Sequence, residues 1–92
     1  MTRELLISAV IDNNWNTVKQ LLSAGNDPNC FLDNDQITPL HFAAQYNALH
    51  SANILLKYGA DPKLQTRPDG YTALDIAKLH NNKDVIELLS NL

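Results

Sequence analysis

T-P-L-H-F-A-A at 38–44 returns as T-A-L-D-I-A-K at 72–78, and A-G-N-D-P at 24–28 returns as Y-G-A-D-P at 58–62. The pair Leu21–Leu22 returns as Ile54–Leu55–Leu56 and again as Leu88–Leu89. Each return lies 34 residues downstream of the last. An internal period of this size marks a solenoid, in which each unit buries its apolar face only against its neighbours. Ninety-two residues make one small domain, and about three such units is the usual minimum for a stable stack.

Within each period the apolar residues recur at helical spacing, and turn residues punctuate them. Leu5, Leu6, Ala9 and Val10 mark a first helix, and Asp12, Asn13 and Asn14 a turn in which asparagine accepts left-handed backbone. Val18, Leu21 and Leu22 mark a second helix, stopped at Gly25. Thr38 is an N-cap with Pro39 at the first helical position, where its missing N–H costs nothing. Ala43 and Ala44 let neighbouring units approach closely. Thr72 caps the corresponding helix of the third unit after a tight Asp69–Gly70 turn. The expected elements are six helices near 5–12, 15–24, 39–46, 49–58, 73–80 and 83–91, all-α, with no extended sheet. Asn14 and Asn82 read as caps of the second helices. Ala48 stands at the same register position, so the helix after it should have the softest start. Leu21 and Leu55 should both be buried between units.

T-P-L-H-x-A-A followed by an apolar pair and G-A-D-x-N is the ankyrin pattern, which Thr38, Pro39, Leu40, His41, Ala43, Ala44, Leu55, Leu56, Gly59, Ala60 and Asp61 resemble. The resemblance covers essentially the whole chain. It implies three helix-turn-helix repeats joined by hairpin-like loops, divided at 1–33, 34–67 and 68–92. The first division lacks T-P-L-H and the third has T-A-L-D, so both read as capping units around one full internal repeat. That reading makes the chain a complete minimal protein. The resemblance also implies that His41 bonds backbone groups and ties adjacent loops together, and is not a base or a ligand. Each loop holds one residue more than the family's usual unit. Gln36 also replaces the glycine found at Gly70, so the first loop tip should point differently.

Composition narrows the function. Net charge is −3 and the seven lysines and arginines are scattered, which argues against nucleic acid, whose recognition needs a basic footprint. No run approaches the ~20 apolar residues of a membrane span. The lone Cys30 has no disulfide partner within the chain, which points to a reducing compartment and a cytoplasmic location. Abundant asparagine suggests an AT-rich genome, bacterial or protist. No phosphate-binding glycine motif occurs, His50 and His80 have no second ligand at metal spacing, and Cys30 has no paired base. No cofactor, metal or catalytic residue is expected. Trp15 reads mainly as a cover for the open side of the first unit.

What remains is binding. In ankyrin-like stacks partners contact the loop tips, or fingers, and the exposed side of the first helices, or palm. Carried onto this sequence, the fingers are Asn34, Asp35 and Ile37, then Pro68, Asp69 and Tyr71. The palm is Ile11 and Asp12, Gln45 and Tyr46, and Leu79 and His80. Ile37, Tyr46, Tyr71 and Leu79 are apolar or aromatic where packing does not ask for it, and tyrosine is a favoured interface residue. Asp12, Asp35 and Asp69 make the same face acidic, partly offset by Arg3 and Arg67. The expected function is a non-enzymatic protein-binding module, monomeric when free, whose partner is another protein of basic character. It would act as an inhibitor, adaptor or accessory subunit. A bacterial immunity or antitoxin-like inhibitor and a minimal scaffold without a partner are the alternatives.

Overall fold

The computed structural model describes residues 2–92. Its elements are α1 (Thr2–Ile11), α2 (Trp15–Ser23), α3 (Pro39–Gln45), α4 (Leu49–Lys57), α5 (Ala73–Leu79) and α6 (Lys83–Ser90). No strand occurs among the described residues. The fold is therefore an all-α solenoid of three helix-turn-helix units. Helix α1 starts three residues before the Leu5 expected from the sequence, because Arg3 and Glu4 extend it as good helix formers, with the acid in the first turn.

The first helices α1, α3 and α5 pack side by side in one layer, and α2, α4 and α6 in a second. Ala43 and Ala44 of α3, and Ala73 and Ala77 of α5, are all buried where these inner helices meet. Ala9 of α1 is also buried. A larger side chain there would push the units apart, so the alanines set the spacing of the stack. Leu6, Val10, Leu40, Leu55 and Val85 fill the space between the layers, with no more than 1% of any of them exposed.

Leu21 departs from expectation. It is only partly buried, while its repeat equivalents Leu55 and Leu89 and its neighbour Leu22 are buried. Leu55 and Leu89 lie on helices packed against a preceding outer helix, α2 and α4 respectively, whereas α2 is the first outer helix of the described residues.

The helix-to-helix turns repeat with the period. Asn13, Asn47 and Asn81 all adopt left-handed backbone, with φ of 51°, 53° and 55°. Asparagine tolerates this region better than most residues. The residues after them do not behave as expected. Neither Asn14 nor Asn82 makes a side-chain cap bond to its own helix. The Asn82 amide instead donates to the Ala44 and Gln45 carbonyls at 2.7 and 3.0 Å, satisfying the open C-terminal end of α3. Asn13 Oδ1 accepts from the Ser51 N–H at 3.3 Å and from its hydroxyl at 2.9 Å. Ser51 is the third residue of α4, so the helix that follows Ala48 is capped by the previous unit. Its start is not distinguished by lacking a cap. The asparagines therefore join neighbouring units, and an inspection of each helix by itself misses them.

Candidate functional site

The loop that precedes α5 is held by a buried polar side chain of α3. His41, on the first turn of α3, is 1% exposed. The Thr38 N–H donates to its Nδ1 at 3.0 Å, with the Thr38 hydroxyl 2.8 Å from the same nitrogen. That leaves Nε2 to carry the proton and donate to the Leu64 and Tyr71 carbonyls at 3.0 and 3.1 Å. One side chain thus pins both legs of the second loop to α3. Burial pushes its pKa below the ordinary 6.5, and the bonds to Leu64 and Tyr71 oppose that only in part. At the equivalent place in the third unit Asp75 closes a capping box. Its Oδ2 accepts from the Thr72 N–H and its own N–H donates to the Thr72 hydroxyl.

The second loop closes as a small hairpin, with Thr66 N–H on the Tyr71 carbonyl at 2.9 Å and Gly70 N–H on the Thr66 carbonyl at 2.8 Å. The first loop turns on Asp33, whose carboxylate accepts from Asp35 N–H and whose carbonyl accepts from Gln36 N–H. The Arg67 N–H donates to the Asp35 carbonyl at 2.8 Å and joins the two loops. Gln36 has φ of 55° where Gly70 has 73°. The glutamine takes up the left-handed backbone that the turn demands, so its replacement of glycine does not reverse the turn.

On this frame the predicted residues fall as follows. Asn34, Asp35, Pro68, Asp69 and Tyr71 are exposed on the two loop tips. Gln45 and Leu79 are the last residues of α3 and α5, and Tyr46 and His80 are the residues that end those helices. Ile11 is likewise the last residue of α1, and Asp12 follows it. Because α1, α3 and α5 lie side by side, these three pairs form a row. Tyr46 is 50% exposed and Leu79 65%. Asp69, Tyr71 and Leu79 line one shallow depression, which joins loop tip and inner helix in the third unit. Ile37 and Ile11 are half-buried, not free as expected. Part of each side chain is already spent on packing.

Three members of that depression were not foreseen, Gly70, Asp75 and Lys78. The repeat register carried the signal for the lysine, since Lys78 stands where the internal repeat has the buried Ala44. Phe31 and Leu32, exposed at the start of the first loop, were also missed. Their equivalents Gln65 and Thr66 are polar, which marks them as unusual.

Chemistry of other kinds finds little support. Cys30 is buried, and desolvation first, then Asp27, raises its thiol pKa, opposite to what a nucleophile needs. Among the described residues no group of three or more His, Cys, Asp or Glu side chains is placed to hold a metal. No helix among them is long and apolar enough to cross a membrane.

Comparison with known proteins agrees with the geometry. A family model described as ankyrin repeats, in three copies, matches residues 5–92. The ARF GTPase-activating protein Git of Drosophila melanogaster is 33% identical over 84 residues, 91% of this chain and 11% of that protein. The human NF-kappa-B inhibitor alpha is 35% identical over 89 residues, 91% of this chain and 28% of that one. An ankyrin repeat protein of Fowlpox virus (strain NVSL) is 41% identical over 85 residues, 88% of this chain and 25% of its own length. The chain thus spans a quarter or so of these relatives at most. Ankyrin repeats are protein–protein interaction modules, and the chain belongs to the ankyrin-repeat family.

Proposed function

We propose that the protein is a non-enzymatic module that binds a partner protein through its loop tips and the ends of its inner helices. The observation that carries this is the solvent-facing set Tyr46, Tyr71, Leu79 and His80, mounted on a frame in which His41 ties both legs of the second loop to α3. Among the described residues no buried side-chain nitrogen or oxygen lacks a hydrogen-bond partner. The loops are therefore pinned before any partner arrives, which lowers the ordering cost of binding. Asp12, Asp35 and Asp69 form an acidic rim and suit a basic partner, while Lys78 and Arg67 supply local exceptions. Occupying another protein's surface makes the module an inhibitor or adaptor. The similarity to a protein named as an inhibitor of NF-kappa-B supports the first of these.

The reading is tested by placing a photo-crosslinking amino acid at Tyr46 in one variant and at the exposed Glu87 on α6 in another. Crosslinked partner should come from position 46 and not from position 87. The reverse pattern refutes the face assignment.

A further inference from the structure

We infer that the outer helix layer carries a second binding groove, between α2 and α4, suited to an acidic amphipathic segment of another protein. Trp15 is the only tryptophan, and the sequence reading assigned it mainly to packing. The structure leaves it 44% exposed, its ring 6.3 Å from that of His50 and tilted by 47°. With Asn53, Ile54 and Lys57 these two rings line a shallow groove. The stack does not require a large ring at this register. The equivalents of Trp15 are the half-buried Leu49 and the exposed Lys83. A partly exposed tryptophan in a groove with an aliphatic floor has the make-up of a binding anchor.

The charge of the groove selects the partner. Helices α2 and α4 contain no aspartate or glutamate, and their only charged residues are Lys19 and Lys57. In a chain of net charge −3 this is a local reversal of sign. Lys57 lines the groove itself, and Lys19 lies one turn along α2 from Trp15. An aromatic or branched aliphatic side chain laid on Trp15 and Ile54 would bring neighbouring carboxylates within reach of both lysines. The adjacent groove between α4 and α6 has the opposite sign, with Asp84 and Glu87 beside Leu49, Leu88 and Leu92. It repels the same segment, so the register is set by repulsion as well as attraction. Two lysines without an arginine are too thin a footprint for nucleic acid. The proposed binding face carries Asp12 on the palm and Asp35 and Asp69 on the loop tips, so the two surfaces favour partners of opposite charge, and the protein can bridge them.

The test uses the full chain and a random peptide library displayed on phage. Selected peptides carrying a fluorescein label are then titrated by fluorescence anisotropy against each variant, and Trp15 emission of the unsubstituted chain is followed alongside with the peptides that lack tryptophan. One class should combine Asp or Glu with Trp, Phe or Leu and should shift the emission. Its Kd should rise by about tenfold in Trp15→Ala and in Lys57→Glu, as an anchor and a contacting charge require, and stay unchanged in Tyr46→Ala. Lys57→Glu alters an exposed side chain, so it decides the matter even if Trp15→Ala weakens folding. The inference is overturned if no selected peptide responds to Lys57→Glu. It is equally overturned if Trp15 emission shifts with a single-stranded oligonucleotide or with phosphatidylserine vesicles and not with acidic peptides. A loss seen only in Tyr46→Ala supports the palm and sinks the groove.

Discussion

Cutting Leu55 to alanine should unfold much of this protein, and cutting Leu21, its repeat equivalent, should not. Leu55 is fully buried in the central unit, with α2 on one side of its helix and α6 on the other. The change deletes three carbons, and at ~0.8 kcal/mol per buried carbon the lost transfer energy is about 2.4 kcal/mol. The neighbours collapse only in part. A residual void of roughly 60 Å³ at ~24 cal/mol per Å³ adds about 1.4 kcal/mol, for a total near 4 kcal/mol. Leu21 already touches water, so its deletion leaves little void and loses only part of the transfer term, about 1 kcal/mol. Against a native stability on the order of 5–15 kcal/mol, small domains lying at the low end, the first loss is large. Urea denaturation followed both by Trp15 emission and by far-UV ellipticity measures it. Trp15 reports the first unit and ellipticity all three, so coincident curves show that the stack melts as one. A cost for Leu55→Ala under about 0.5 kcal/mol, the size of a surface effect, refutes the burial argument. So does a cost for Leu21→Ala equal to that for Leu55→Ala.

Acid should weaken the fold through His41. Its folded pKa is depressed, so the unfolded chain binds more protons below the ordinary value of 6.5 and stability falls as pH drops through that range, by at most about 1.4 kcal/mol per unit. Urea midpoints at about pH 7.5 and 5.5 should differ in that direction, and an unchanged midpoint contradicts the assignment of a neutral, buried imidazole. Asn13→Gly should cost about 1 kcal/mol for the lost cross-unit cap, and Asn13→Ala about 1 kcal/mol more because alanine resists positive φ. Equal losses in thermal melts of the two variants would show that the backbone conformation carries no penalty. Cys30 should react slowly with a disulfide reagent in the native state and quickly in urea, because burial disfavours its thiolate. Equal rates would show that it is not shielded.

Much of the fold was legible because the period is written in residues that act locally. Proline at a first helical turn, glycine after a last one, and alanine where helices cross each have one physical reason to stand there. Gly25 and Gly59, both with φ of 97°, stop α2 and α4 as the motif required. What the sequence did not show were the bonds between units. Asn13 to Ser51, and Asn82 to Ala44 and Gln45, span 37 or 38 residues. Nothing in a local window separates an asparagine that caps its own helix from one that reaches the next unit. The partial exposure of Leu21 was hidden for a related reason, since equal sequence positions have unequal neighbours at the end of a stack. The proposed binding positions were legible as register positions, because Ile11 and Asp12, Gln45 and Tyr46, and Leu79 and His80 each sit one period apart. Gly70, Asp75 and Lys78 were not, because the depression they share with Tyr71 and Leu79 forms only when the loop tip and α5 are brought together.

The central claim is that a partner protein is held by the loop tips and inner-helix ends. The most direct test is a calorimetric titration of a partner identified by crosslinking, against the wild-type chain and against Tyr46→Ala and Tyr71→Ala. Melts of the free variants run alongside, since exposed changes of this kind move stability by only about 0.5 kcal/mol. The account predicts that at least one tyrosine variant loses more than about 1 kcal/mol of binding energy, the mark of an interface anchor, while its melt is unchanged. If both tyrosine variants bind as wild type and Lys19→Glu or Lys57→Glu abolishes binding of the same partner, the palm-and-finger account is wrong.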